Sequence, residues 1–200
     1  THTYSDRSSE NFAALKQTAV NSGKNFWMSE VDNGNLAGTN AKNMGAGLSL
    51  AVNILEDMNS MQPSAWVMWD ILDKHKDAEF VAPNGTNSEA NTSNAQHIGT
   101  WGVGMVNHDT KEIELTQKYY VYGQFTKYIN PGDTIIASSP TTLAAYNKDT
   151  GAIKIVAVNT TGDTQNYRFD LSAFSQTGTS AKIIRTSGSF TDGEHWKDVG

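Results

Sequence analysis

The carboxylate of Glu30 stands at the end of a short apolar stretch. Residues 26–28 are Phe-Trp-Met, and after Glu30 the turn-forming residues 32–34 are Asp-Asn-Gly. This pattern predicts a strand that carries Glu30 to the rim of a sheet, where a carboxylate can take part in chemistry on a substrate. A salt bridge or a cap at a strand end would give the same pattern, because structural ion pairs also use such carboxylates. The surrounding chain must decide between the two.

Composition excludes several other kinds of chemistry. The chain has 200 residues, of which 38% are hydrophobic, and this predicts a globular protein with one core or two small ones. Its 15 basic residues are scattered and its net charge is −6, which argues against a nucleic-acid surface. With no cysteine, the chain has no disulfide, catalytic thiolate or cysteine-bound zinc. Its apolar runs are shorter than the ~18 residues of a membrane span.

Strands and helices are predicted to alternate in the first part of the chain. Residues 1–5 alternate like the end of a strand, and a first helix is capped near Ser8 and ends at Gly23. The strand of the carboxylate follows. A second helix covers residues 48–58, and the apolar strand 65–70 ends in an acid.

This alternation predicts parallel βαβ units, in which the carboxyl ends of the strands meet at one rim. Ligands bind at that rim in such folds. We therefore expect Tyr4, Glu30, Trp69 and Asp70 to lie on one functional edge. Trp66 has the opposite direction on its strand and is predicted to pack under the helices.

Between residues 83 and 128 the sequence predicts a loop, a short strand and a helix. Residues 83–96 are rich in Asn, Ser, Thr and Gly and predict a surface loop. Residues 99–106 predict a short strand. Residues 117–128 predict a helix that presents Tyr119, Tyr122 and Phe125 on one face.

Beyond Pro131 the hydrophobic period becomes that of strands. The alternation at 153–158 and 167–171 predicts antiparallel hairpins, while residues 194–200 are predicted to carry no strand. The sequence thus predicts a domain boundary between regions 1–131 and 132–200, with a β-sandwich in the second.

Histidines are predicted to lie on the surface or in loops, since their spacing does not match that of metal ligands. This applies to His75, His97, His108 and His195. The sequence therefore predicts no metal and no cofactor.

Three ordered segments carry a resemblance to a known family. They are residues 27–30 (WMSE), 63–69 (PSAWVMW) and 118–132 (KYYVYGQFTKYINPG). Together they resemble glycoside hydrolase family 30, and the Met-Ser-Glu form most resembles its endo-β-1,6-galactanase branch. The resemblance implies an α/β part, the C-terminal portion of a TIM-type (β/α)8 barrel, followed by an all-β part, an antiparallel side β-sandwich that is incomplete here.

Residue by residue, this resemblance implies roles for the candidate site. Glu30 matches the nucleophile of a retaining mechanism. His2 and Tyr4 match the end of the preceding barrel strand, where a Tyr hydroxyl can hydrogen-bond the nucleophile; the alternative for His2 is a frayed terminal residue. Trp69 matches an aromatic residue that can stack on a sugar ring.

Two acids complete the candidate substrate-binding set. Asp70 stands where family members often carry Gln or Asn, and it either binds sugar hydroxyls or caps the next turn. Asp32 can also reach the pocket, although an Asp-Asn-Gly turn explains it as well.

Retaining hydrolysis needs a second carboxyl group, the general acid, about 5 Å from the nucleophile. In the family this acid comes from an earlier barrel strand. The resemblance therefore implies that the acid lies outside this chain, in a missing N-terminal part of the same enzyme, and that residues 1–200 alone are inactive.

The expected function is that of a secreted or cell-surface retaining β-glycosidase, with endo-β-1,6-galactanase as the first choice. Its expected partner is a polysaccharide or oligosaccharide substrate, and neither nucleic acid nor a membrane span is expected. Alternatives are a non-catalytic carbohydrate-binding or scaffold module, and a family 30 enzyme acting on xylan, β-1,6-glucan or glucosylceramide. An unrelated α/β domain with an appended sandwich is a third.

Overall fold

The structure, a computed structural model, describes the chain in four ranges: 1–32, 43–74, 101–106 and 110–200. The predicted loop 83–96 and the histidines His75, His97 and His108 lie outside these residues.

The described residues form helices and short strands. The helices are α1 (Ser9–Ser22), α2 (Met44–Ser60) and α3 (Gln117–Thr126). The first five strands are β1 (Trp27–Val31), β2 (Ala65–Met68), β3 (Leu72–Lys74), β4 (Gly104–Val106) and β5 (Ile113–Leu115). The last five are β6 (Thr134–Ile136), β7 (Thr142–Tyr146), β8 (Ile153–Ala157), β9 (Ile184–Ser187) and β10 (Glu194–Asp198). The predicted mixture of helix and sheet is confirmed.

Local signals set the ends of α1 as predicted. The Ser8 hydroxyl accepts a hydrogen bond from the backbone N–H of Asn11 at 3.2 Å, which satisfies a free donor of the first turn. At the other end Gly23 has a φ of 58°, a left-handed conformation in which a side chain would be strained. Helix α2 likewise begins after Asn43, whose side-chain oxygen accepts from the Gly45 N–H at 2.8 Å.

The N-terminal segment, β1 and β2 lie side by side and run parallel, as predicted. β1 pairs with β2 from Trp27 opposite Ala65 onwards. Next to β1, His2 pairs with Glu30 in a single parallel bridge. Residues 1–5 do not form a full strand, because the chain bends at residues 4 and 5.

Small sheets make up the rest of the described β-structure. β3 pairs in parallel with β4, and β4 pairs antiparallel with β5. β6, β7 and β8 form an antiparallel sheet in that order, and β9 pairs antiparallel with β10. β8 confirms the strand predicted at 153–158. Among the described residues no sheet closes on itself, so the barrel, the sandwich and the domain boundary stay predictions.

Two predictions for the last third of the chain are wrong. Residues 167–171 form no strand, because the Asp170 carboxylate accepts from the Ser172 N–H at 2.9 Å and Phe174 N–H donates to the Leu171 carbonyl at 3.0 Å. These local turns replace ladder hydrogen bonds. Conversely, residues 194–198 form β10. Its strand pairing is supported by charge, since Glu194 forms an ion pair with Arg185 on β9.

The main core lies between α2 and α3 and extends to β7. Helices α2 and α3 approach closely at Gly47, where an added Cβ would lie 2.6 Å from the Val121 side chain. Phe125 is buried there, and Tyr119 and Tyr122 pack against the same core, as the predicted helix face requires. A smaller core lies under α1 around Phe12, Met28, Val31 and Met61. None of the described helices is both long enough and apolar enough to cross a membrane.

Candidate active site

An irregularity in β1 separates Glu30 from the core. The register between β1 and β2 shifts between Met28 and Val31. Both of these side chains are therefore buried although they are three positions apart, whereas the Glu30 side chain between them keeps 32% of its surface exposed. The apolar residues of β1 thus fix the strand, and the carboxylate is left accessible to a ligand.

His2 faces the Glu30 carboxylate. The distance from His2 Nδ1 to Glu30 Oε1 is 3.7 Å, and 47% of the imidazole side chain is exposed. The backbone bridge between the same two residues fixes this approach. In the structure His2 is therefore held beside Glu30, and its role there stays a prediction.

The phenol of Tyr4 completes this group. Burial raises its pKa above the ordinary value, and the nearby carboxylates of Asp32 and Glu30 raise it further. The phenol thus lies close to the Glu30 carboxylate. The Tyr4 ring lies edge-on to the His2 ring, with centroids 6.0 Å apart. The raised pKa keeps the phenol protonated, so it is available as a hydrogen-bond donor beside the carboxylate.

Asp32 lies at the same end of β1, and 6% of the residue is exposed. Its carbonyl accepts a hydrogen bond from the Asn53 side chain of α2 at 3.1 Å. Its carboxylate is close enough to Tyr4 to shift the phenol's pKa. The structure thus brings Asp32 to the candidate site, and residues 33–34 of the predicted turn lie outside the described residues.

Trp69 and Asp70 follow the end of β2. The backbone N–H of Trp69 donates to the Val31 carbonyl at 2.9 Å, so the residue lies beside the end of β1, and half of it is exposed. Asp70 turns toward the next sheet, since its carbonyl accepts from the Val103 N–H at 3.2 Å. Trp66 packs on the opposite side, 5.8 Å from the Tyr122 ring, as predicted.

Sequence reasoning missed the residues that support this group from behind. Asn53 holds Asp32 as described, and Arg7 donates to the Thr3 hydroxyl at 2.7 Å. Such partners are distant in sequence and leave no periodic pattern. One signal was available, namely Asp57, an acid on the otherwise apolar buried stripe of α2.

The chemistry open to this group is that of a positioned carboxylate. Glu30 can attack an electrophilic carbon while Tyr4 stabilises its ionised form through a hydrogen bond. Within the described part of the chain, His, Asp and Glu side chains do not gather in threes in a way that could hold a metal ion. His195, the other described histidine, stacks on Tyr120 at 3.8 Å.

Comparison with known proteins gives a partial match. No protein-family model matches the chain. An endo-β-1,6-galactanase from Hypocrea rufa is 24% identical over 172 residues, which is 85% of this chain and 29% of that protein. The chain thus spans less than a third of the length of this curated relative.

Solved structures are similar as well. A conserved exported protein from Bacteroides fragilis matches all of this chain and 41% of its own length, with a TM-score of 0.58 and 16% identity, so the two share a fold. A family 30 endoxylanase from Clostridium papyrosolvens matches 72% of this chain and 28% of its own, with a TM-score of 0.41 and 21% identity. The chain is thus similar in sequence to an endo-β-1,6-galactanase, in agreement with the resemblance that its sequence motifs carry.

Proposed function

We propose that this chain supplies the nucleophile of a retaining β-glycosidase and that Glu30 is that nucleophile. One observation carries the proposal. The accessible Glu30 carboxylate lies 3.7 Å from the His2 imidazole, and it is close enough to the Tyr4 phenol to raise the pKa of that phenol. A bare strand-end salt bridge would not need both neighbours, and the relation to a galactanase favours glycoside chemistry.

In this mechanism the Glu30 carboxylate attacks the anomeric carbon, and water later hydrolyses the glycosyl-enzyme. The raised pKa of Tyr4 keeps its phenol protonated, and we propose that the hydroxyl donates a hydrogen bond to Glu30 during the reaction. Trp69, half exposed beside the end of β1, offers a ring face for a sugar. Asp32 and Asp70 are proposed to accept hydrogen bonds from sugar hydroxyls.

The general acid is proposed to come from outside residues 1–200. We further propose that residues 1–131 form the C-terminal part of a TIM-type barrel and that residues 132–200 form the side β-sandwich. A polysaccharide substrate fits a secreted or cell-surface enzyme.

The nucleophile is tested in the intact enzyme with a 2-fluoro galactoside that traps the glycosyl-enzyme. We expect the label on Glu30, and we expect Glu30→Gln to reduce turnover to background while the protein stays folded, since the change removes a charge and little volume. Asp32→Asn is the matched control and should still be labelled at Glu30. A label on Asp32 or Asp70 would show that the wrong carboxylate has been chosen.

The substrate is tested by product analysis. The intact enzyme is expected to release galactose oligomers from β-1,6-galactan with the anomeric configuration retained, as NMR of the fresh product can show. Activity on xylan, β-1,6-glucan or glucosylceramide instead would keep the mechanism and refute the galactan assignment. Binding of these glycans with no hydrolysis of any would favour a non-catalytic carbohydrate-binding module.

A further inference from the structure

Arg7 connects the N-terminal segment to helix α2 behind the candidate site. Its Nη1 donates to the Thr3 hydroxyl at 2.7 Å. Its Nη2 lies 3.0 Å from a carboxylate oxygen of Glu56 and 3.0 Å from Oδ1 of Asp57. The guanidinium also lies over the Phe12 ring, 5.4 Å from its centroid. One side chain thus joins the segment before α1 to two acids of α2.

Asp57 is the fixed end of this connection. Its side chain has no exposed surface, and its Oδ2 accepts a hydrogen bond from the Trp66 indole at 2.8 Å. A buried carboxylate needs such partners to remain charged. Trp66 donates to Oδ2, whereas Arg7 lies at ion-pair distance from Oδ1, which accepts no hydrogen bond. Burial raises the pKa of Asp57 and both partners oppose this shift, so the loss of either removes part of what stabilises the buried carboxylate.

Thr3 connects Arg7 to the residues of the candidate site. Thr3 is 1% exposed, whereas His2 and Tyr4 on either side of it are exposed. The burial alternates as in an extended chain, so the residue that Arg7 holds is the one between the two that meet Glu30. A displacement of Thr3 would therefore displace both neighbours.

The other side of the site is tied to the same helix. Asn53 donates to the Asp32 carbonyl at 3.1 Å, and its own carbonyl lies 3.4 Å from Arg7 Nη2. Residues 53, 56 and 57 are neighbours on one face of α2. The helix thus fixes the two segments that carry Tyr4 and Glu30 relative to each other.

We propose that Arg7, clamped on Asp57, is a positioning residue that sets the Tyr4 phenol against the Glu30 carboxylate. This proposal rests on the proposed glycosidase function. Arg7 itself touches neither substrate nor nucleophile, so its effect on catalysis passes through Thr3 to Tyr4.

The first test compares Arg7→Met with Arg7→Lys in the intact enzyme. We expect Arg7→Met to lower kcat on the galactan by about 10- to 100-fold, as small misplacements of catalytic groups do, with KM nearly unchanged. Arg7→Lys should recover part of the loss. The matched control is Arg185→Gln, which removes an arginine from an ion pair with Glu194 on the β9–β10 hairpin and should leave kcat unchanged. An unchanged kcat in folded Arg7→Met would overturn the proposal.

A double-mutant cycle separates positioning from general weakening of the fold. If Arg7 acts through the phenol, Arg7→Met should cost little further activity in a Tyr4→Phe background. Equal losses in both backgrounds would contradict the proposal. If Arg7→Met does not fold, Thr3→Val removes only the hydroxyl that Arg7 holds, at nearly constant volume. It should then lower kcat in the same direction, and an unchanged kcat would again contradict the role.

A readout without activity distinguishes failure of this proposal from failure of the proposed function. With 13C-labelled tyrosine, the Tyr4 signal of the intact protein should move in Arg7→Met or Thr3→Val and stay in place in Arg185→Gln. If the protein hydrolyses no glycan but the signal moves, the function is wrong and the positioning role stands. A signal that stays in place in the Arg7 and Thr3 variants refutes the positioning role whatever the activity.

Discussion

Two arginines of this chain meet carboxylates in opposite surroundings. Arg7 pairs with Asp57, whose side chain is fully enclosed beneath the candidate site. Arg185 pairs with Glu194 across the β9–β10 hairpin, and its own side chain is 56% exposed. In the second case Lys197 and Ser187 contact the same glutamate. Asp57 thus depends on two specific partners, whereas Glu194 has several partners that can replace one another.

This difference shows that a buried ion pair and an exposed ion pair respond differently to the loss of one partner. A buried pair gains little net stability, but removal of one member leaves an uncompensated charge. A surface pair is screened by solvent and salt and contributes little. The candidate site in the N-terminal half is therefore supported by a few buried contacts, and removal of any one of their partners is expected to be destabilising. The hairpin is held more loosely by charge, and it docks on α3 through Trp196, whose indole donates to the Tyr120 carbonyl at 2.7 Å.

The largest effect is expected from Asp57→Ala. Loss of the carboxylate leaves the Trp66 indole without its acceptor and removes one of the two acids that pair with Arg7, so that Glu56 remains. We expect a loss of about 3 kcal/mol in the free energy of unfolding, at the lower end of the range for broken buried pairs. Urea denaturation of the intact protein measures it. Glu56→Ala, on the exposed side of the same arginine, is the control; an equal effect of the two changes would show that burial of the acid does not decide its contribution.

A smaller effect is expected where the hairpin docks. A Cβ added at Gly123 would lie 2.1 Å from the Trp196 ring, so Gly123→Ala must displace the indole. Overpacking of this kind costs about 1–3 kcal/mol, and the near-ultraviolet circular dichroism of tryptophan should change with it. Gly162→Ala is the matched control, since nothing lies within 4 Å of its added Cβ. If both glycine variants unfold at the same urea concentration, the indole does not hold the hairpin.

The smallest effect is expected from acid. The hydrogen bond from Arg185, followed by that from Lys197, lowers the pKa of Glu194 to about 2. Because this folded-state pKa is depressed, the stabilisation is present above the ordinary value of 4.5 and is lost as the pH falls toward 2. The urea midpoint should decline over that window, less steeply in Glu194→Gln and less steeply at high salt. A decline of the same size in Glu194→Gln would assign it to other groups.

Much of the N-terminal half could be predicted because its signals are local. Ser8 and Gly23 mark the ends of α1 by their own chemistry, and Glu30 follows an apolar run. Parallel strands bring their ends together, so the order of elements alone predicted that Tyr4 would lie near Glu30, whereas His2 was implied there only by the family resemblance. The register shift that exposes Glu30 between two buried residues was not predictable, since it depends on the pairing with β2.

The short strands, the last third of the chain and the long-range contacts were harder to predict for physical reasons. β3, β5 and β6 are three residues long, too short to show a period. β10 carries mostly polar side chains without a hydrophobic alternation, and its pairing with β9 is supported by the ion pair between Glu194 and Arg185. Residues 167–171 alternate like a strand, but Asp170 forms a local turn there that hydrophobic alternation does not reveal. Arg7 and Asp57 are far apart in sequence, so only the folded chain shows their contact.

Hydrogen exchange of the Trp66 indole N–H reports opening of the helix layer behind the site. Its proton is donated to a carboxylate with no exposed surface, so exchange with deuterated solvent requires α2 to lift from β2. Trp27 and Trp69, at 59% and 50% exposure, should exchange without any such opening. The decay of one tryptophan signal therefore measures how often the helix layer that supports the candidate nucleophile comes apart, on a timescale of minutes to hours that crystallography does not sample.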